Sequence, residues 1–262
     1  MDISVDYPQK EGVLRSAVIE VFPGETLGLV GQSGSGKSTL ALAILRLLDH
    51  TGARVRGRTT LLGQDLTSCT ERELRDIRGR RVSLIPQSPA AALNPALRIG
   101  TQLRHAWRAH SRERWSSQED RIGQLLASVG LGVAFLKRFP AEISVGQAQR
   151  VLMVMALLHE PALLIADEPT SALDAITQRE VLDLLVRMRQ EHEMSMLFIS
   201  HDLTTVAAVC DRLAILQAGE IVECGPLREV LSAPKHAYSK RLIAAVDSLR
   251  SRGQGPGVGG QG

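Results

Sequence analysis

One turn, Gly31-Gln32-Ser33-Gly34-Ser35-Gly36-Lys37-Ser38, constrains this chain more than any other stretch. It fits the pattern G-x-x-x-x-G-K-[ST] and stands where that pattern has physical meaning. An apolar run at 26–30 precedes it, and residues 38–48 follow with Leu40, Ile44, Leu47 and Leu48 at helical spacing. Glycines let the backbone fold so that successive N–H groups converge on one point, and the helix N-terminus adds partial positive charge there. Such a cradle suits the phosphates of a nucleotide. Lys37 would bridge the β- and γ-phosphoryl oxygens, and the Ser38 hydroxyl would coordinate Mg²⁺. The plainer alternative is a glycine-rich turn with a surface lysine.

A second apolar run, Leu163-Leu164-Ile165-Ala166, ends in Asp167 and Glu168. Neighbouring strand residues point to opposite faces, so the two acids are expected to do different work. Asp167 would hold Mg²⁺ through water, and Glu168 would polarise an attacking water. A polar strand end that caps the next helix is the alternative.

Further strands are predicted at 82–85, stopped by Pro86, and at 196–199; 214–217 and 220–223 flank Ala218-Gly219 as a hairpin. Strands alternating with helices predict an α/β fold with a mostly parallel sheet. From about 89 to 161 the strand signals vanish, which predicts a helical insertion into that core. Ser116 to Glu119 reads as a capping box before Ile122, Leu125, Leu126 and Val129; Ser144 to Gln147 reads as a second. The expected organisation is one domain over 1–250, with a Gly-rich disordered tail at 251–262.

Composition removes several classes. Aromatic residues are only 3%, so the core must come from Leu, Val, Ile and Ala, and a formal net charge of +3 gives no excess suited to wrapping nucleic acid. The longest apolar run, at 151–158, is eight residues, far short of the ~20 of a spanning helix. The acidic first residues do not read as a secretory signal. Cys69, Cys210 and Cys224 fit reduced thiols better than a disulfide framework. Arg104, Arg108, Arg112 and Arg114, interleaved with His105, Trp107, His110 and Trp115, form the most basic stretch. A solvated helical face, contact with a permease or anionic membrane, and RNA binding all stay open for it.

Taken together, these motifs resemble the nucleotide-binding subunits of ABC transporters over about residues 2–246. The resemblance rests on an ordered series: GQSGSGKST at 31–39, Pro86-Gln87 after a strand, Ile-Ser-Val-Gly-Gln at 143–147, Leu-Ile-Ala-Asp-Glu-Pro at 164–169, Ser-Ala-Leu-Asp at 171–174 and Ser-His-Asp at 200–202. It implies a P-loop core of ABC type with a mostly parallel sheet, an antiparallel β part and a helical subdomain, binding ATP and Mg²⁺. In that reading the loop residues Gly31, Gln32, Ser33, Gly34, Ser35, Gly36, Lys37, Ser38 and Thr39 hold the phosphates. Ser38, Gln87 and Asp167 serve the metal, with Gln87 as the Q-loop glutamine that also couples to the membrane partner. Glu168 is the catalytic carboxylate and His201 the switch histidine, acting with Gln87 and Lys37. Tyr7 stands about where the family places the aromatic that stacks on adenine, although a surface tyrosine is the competing reading. Asp174 resembles the D-loop aspartate, with a helix N-cap as the alternative. Ser144, Gly146 and Gln147 belong to the signature segment that completes the opposite subunit's site. Val145 replaces a usual glycine there. Either it weakens the site that the segment completes, or it faces its own subunit and changes nothing.

Ala92-Leu93-Asn94-Pro95 and the ending at 233–246, Ala-Pro-Lys-His-Ala-Tyr-Ser-Lys-Arg-Leu-Ile-Ala-Ala-Val, resemble the oligopeptide, dipeptide and nickel import branch, whose C-terminal element falls at about 226–248. That branch implies a second ABC ATPase subunit in a heterodimer or homodimer, two membrane permeases, an external solute-binding protein and no nucleic acid. It implies a peripheral position on the cytoplasmic face of the plasma membrane. A soluble ABC-type ATPase and a low-turnover regulatory nucleotide-binding partner are the other readings.

Overall fold

Strands that are apolar at every position must be covered on both faces, and this requirement organises the molecule. The computed structural model describes residues 1–49 and 51–253. The chain opens with β1 (Asp2–Tyr7), β2 (Lys10–Val18), β3 (Thr26–Val30) and α1 (Lys37–Ile44). Short elements follow: β4 (Arg54–Arg58), β5 (Thr60–Leu61), β6 (Gln64–Asp65) and α2 (Glu71–Ile77), then β7 (Val82–Ile85). A helical stretch holds α3 (Pro89–Ala92), α4 (Ile99–Arg108), α5 (Glu119–Ser128) and α6 (Val145–Leu157). The chain then alternates β8 (Leu163–Asp167), α7 (Ala175–Glu191), β9 (Ser195–Ser200) and α8 (Leu203–Val209). It closes with β10 (Arg212–Gln217), β11 (Glu220–Pro226), α9 (Leu227–Ser232) and α10 (Ala237–Gly253).

The main sheet has the order β11-β10-β3-β9-β8-β7, parallel except for the β10–β11 hairpin. Along β8, Leu163 and Ile165 enter one core while Leu164 and Ala166 enter the other. The first core packs α1, through Leu40 and Ile44, against the antiparallel sheet β2-β1-β4. The second is covered by α4 to α8. Sequence reading placed the six main-sheet strands but not β1, β2 or β4, although Ile3 and Val5 alternate with Asp2, Ser4 and Asp6 in the period of a half-buried strand.

One helix start differs from expectation. Ser116 caps nothing: 115–118 is a 3-10 turn in which the Ser117 hydroxyl donates to Arg114 O at 2.7 Å, and α5 starts at Glu119 without a side-chain cap. Of the two tryptophans in the basic stretch, Trp107 is buried and Trp115 half-buried. Trp107 stacks on His159 at 4.9 Å, while Arg104, His105 and Arg108 face outward. The Gly-rich tail was expected from 251, but α10 runs on to Gly253, and 254–262 lie outside the described residues.

Candidate nucleotide-binding and active site

β3 delivers the phosphate loop to the sheet's end, and Gly36 starts α1. Its φ of 108° is one that side chains resist, and a Cβ there would meet Val13 O at 2.9 Å. No side chain caps α1, which leaves its first N–H groups without a side-chain partner. Lys37 is buried. Its Nζ donates to Gly31 O at 2.8 Å and Gln32 O at 3.1 Å. Burial lowers the Lys37 pKa, against the pull of Glu168 and Asp167. Gly31 and Ser35 lie beneath the loop, with the Ser35 hydroxyl buried and unpartnered, while Gln32, Ser33 and Gly34 are exposed.

Asp167 ends β8 beside this loop, and its Oδ1 is buried without a hydrogen-bond partner. Burial raises its pKa and Glu168 adds to the rise, whereas the Ser38 hydroxyl and Lys37 oppose it. An orphaned carboxylate oxygen next to a hydroxyl is a donor set that suits a hard cation, so the residues present fit Mg²⁺.

Glu168 does not differ from Asp167 by strand alternation, as the sequence suggested. It lies past the strand with φ 46°, a left-handed backbone held by Glu168 N–H donating to Ile199 O at 2.9 Å. That kink sets its carboxylate between two groups from other strand ends. Gln87 Nε2 donates to Oε2 at 2.9 Å, and His201 Nδ1 stands 3.1 Å from Oε1. Because a carboxylate accepts, the second bond needs the proton on Nδ1.

These groups line a cleft of about 590 Å³ together with Tyr7, Ser33, Gly34, Gly36, Lys37, Ser38 and Thr39. Lys10 and Val13 line it too. Sequence reading missed both; their signal was their place on the hairpin that carries Tyr7.

Ser144, Gly146, Gln147 and Asp174 do not line this cleft. Ser144 and Gln147 close the expected capping box at the start of α6, at 3.2 Å and 3.0 Å. Asp174 caps α7, accepting from Ile176 N at 3.1 Å and Thr177 N at 3.0 Å. The two helix starts touch, since a Cβ on Gly146 would fall 2.6 Å from Thr177 Cγ2. Val145 is 49% exposed at the start of α6.

The family model for the ABC transporter matches residues 14–171. The chain belongs to the ABC transporter family. Among relatives, the oligopeptide transport ATP-binding protein OppD of Bacillus subtilis is 37% identical over 259 residues, covering 97% of this chain and 72% of that protein. The glutathione import ATP-binding protein GsiA of Salmonella choleraesuis is 38% identical over 252 residues, 92% of this chain and 40% of its own length. This chain thus spans less than half of that second relative. Among solved structures, a dimeric ATP-binding cassette in a post-hydrolysis state, bound to ADP and Pi, superposes with a TM-score of 0.74 at 26% identity. That match covers 87% of this chain and 97% of the other. The ABC chain therefore has the expected cassette fold, and it is an ATPase.

Proposed function

We propose that this ATPase drives a membrane importer for peptides, nickel or a related small solute. It would work in a dimer with a second ABC ATPase subunit, different from it or identical, beneath two permeases fed by an external binding protein. The names of the relatives support the cargo class, and their spread from oligopeptide to glutathione keeps it broad. No described helix is long and apolar enough to cross a membrane, so the position proposed is peripheral, on the cytoplasmic face.

The observation that carries the mechanism is the join of Gln87, Glu168 and His201 at the mouth of the phosphate loop. In the proposed cycle Lys37 and the loop N–H groups hold the β- and γ-phosphates, and Tyr7 stacks on adenine. Ser38, Gln87 and Asp167 would hold Mg²⁺, which supplies charge neutralisation on the phosphates. Glu168 accepts a proton from the attacking water while His201 holds the carboxylate and the terminal phosphate. Ser144, Gly146, Gln147 and Asp174 stand outside the cleft, as they would if each chain completed the other's site. Closure of two chains over ATP, and their release on hydrolysis, would move the permeases through Gln87 and the helical stretch.

Glu168→Gln tests this. The variant should bind ATP as the unaltered chain does while hydrolysis by the assembled complex falls by about 10²- to 10⁴-fold. Unchanged turnover would remove Glu168 from the mechanism. A second reading, a low-turnover nucleotide-binding partner, draws on exposed Val145 in the signature segment. It expects that complexes assembled with the Glu168→Gln chain hydrolyse ATP as before.

A further inference from the structure

The element Pro234-Lys235-His236-Ala237-Tyr238 marks the branch in sequence yet has no part in the mechanism above. The fold brings it to the phosphate loop. Glu223 on β11 accepts from the backbone N–H groups of Lys235 at 2.8 Å and His236 at 3.0 Å. Tyr238 N–H in turn donates to His236 Nδ1 at 3.2 Å. This clasp starts α10 with the Tyr238 side chain turned inward. The residue is only 5% exposed and shares a core with Val30 and Ile215, from the two paired strands that end beside the loop. At the tip of the ring, Oη accepts a hydrogen bond from Gln32 N–H at 3.3 Å.

That N–H belongs to the peptide plane joining Gly31 to Gln32. On the opposite edge of the same plane, the Gly31 carbonyl accepts from Lys37 Nζ at 2.8 Å. A peptide unit is rigid, so its two edges cannot turn independently. Rotation that breaks the contact with Tyr238 also moves the oxygen that holds the Lys37 ammonium. Gln32 O adds to the link, because it accepts from Lys37 Nζ at 3.1 Å and from Ser35 N at 3.1 Å.

We propose that Tyr238 is a positioning residue for the phosphate loop: its hydroxyl fixes the Gly31–Gln32 peptide plane, and through it Lys37, which couples the C-terminal helix to nucleotide binding. The proposal rests on the loop being the ATP site. Coupling of this kind is reciprocal: if α10 steadies the loop for ATP, ATP must steady the start of α10 by the same free energy.

Tyr238→Phe in the full chain removes one oxygen and keeps the ring. Its affinity for ATP with Mg²⁺ should weaken about two- to tenfold, while its melting temperature without nucleotide falls by only about 2–4 °C, the worth of one hydrogen bond. Amide hydrogen exchange gives a readout that a merely structural role would not move. ATP should slow exchange at residues 238–245 in the unaltered chain and fail to do so in Tyr238→Phe. Glu223→Gln, which weakens the clasp without touching the ring, should shift affinity in the same direction. Unaltered ATP affinity in Tyr238→Phe, or ATP protection of α10 that survives the substitution, overturns the proposal. Failure of the unaltered chain to bind ATP would instead overturn the reading of the loop on which it rests.

Discussion

Asp167 shows what the site costs the nucleotide-free protein. Its carboxylate is buried with one oxygen unpartnered, and burial raises its pKa. A carboxyl raised in the folded state binds its proton more tightly folded than unfolded. The stability this contributes is complete below the unfolded value and is lost as pH rises through the folded one. At neutral pH the buried charge is therefore destabilising, and Asp167→Asn should raise the melting temperature by about 2–4 °C per kcal/mol relieved. The gain should shrink as pH falls toward the ordinary aspartate value of about 3.9. Thermal melts of both proteins across pH check this, and a variant less stable at neutral pH would contradict it. The same variant should lose Mg²⁺-dependent nucleotide binding, a trade of function against stability. The identity of this residue was legible from a strand followed by two acids. The left-handed turn at Glu168 was not, because it depends on a bond to Ile199 that comes from a different strand.

At the scale of elements, packing decides where identical local signals succeed. Two S-x-x-E/Q sequences look alike as helix starts, yet only Ser144 caps one, because Ser117 and Arg114 close a 3-10 turn at the other. Helix α8 lies close on β3, where Gly28 leaves no room: an added Cβ would fall 2.6 Å from Val206 Cγ1 and 2.9 Å from Cys210 Sγ. Gly28→Ala should destabilise by about 1–3 kcal/mol through overpacking, read from denaturant unfolding. Val206→Ala in the same chain should restore part of the loss, since it removes the methyl in the way. If the double variant is no more stable than Gly28→Ala, the contact is not the cause. Four main-sheet strands were legible as apolar runs and β10–β11 as a hairpin, whereas β1, β2 and β4 mix apolar with charged residues, and β4 pairs with β1 across the intervening β2, β3 and α1.

For the whole molecule, the exposed apolar residues around the starts of α6 and α7 suit the face of the proposed dimer. Ile176 is 75% exposed and Val145 49%, on helix starts joined through Gly146 and Thr177. Single exposed apolar residues need no explanation, but two beside Asp174 and Ser144 mark the face that a second chain would cover. Ile176→Glu, placed in a Glu168→Gln chain, should leave ATP binding by the monomer intact and abolish the ATP-dependent doubling of mass in light scattering. Doubling that persists would move the interface elsewhere. The sequence by itself determined the phosphate loop, the paired acids, the positions of the main-sheet strands and the family, because each is written in contiguous residues whose spacing carries the chemistry. Only the tertiary structure decided that Gln87, Glu168 and His201 meet and that Tyr238 reaches Gln32. These contacts join segments as far as 206 residues apart, and their geometry is fixed by how strand ends and helices pack, which no local pattern encodes.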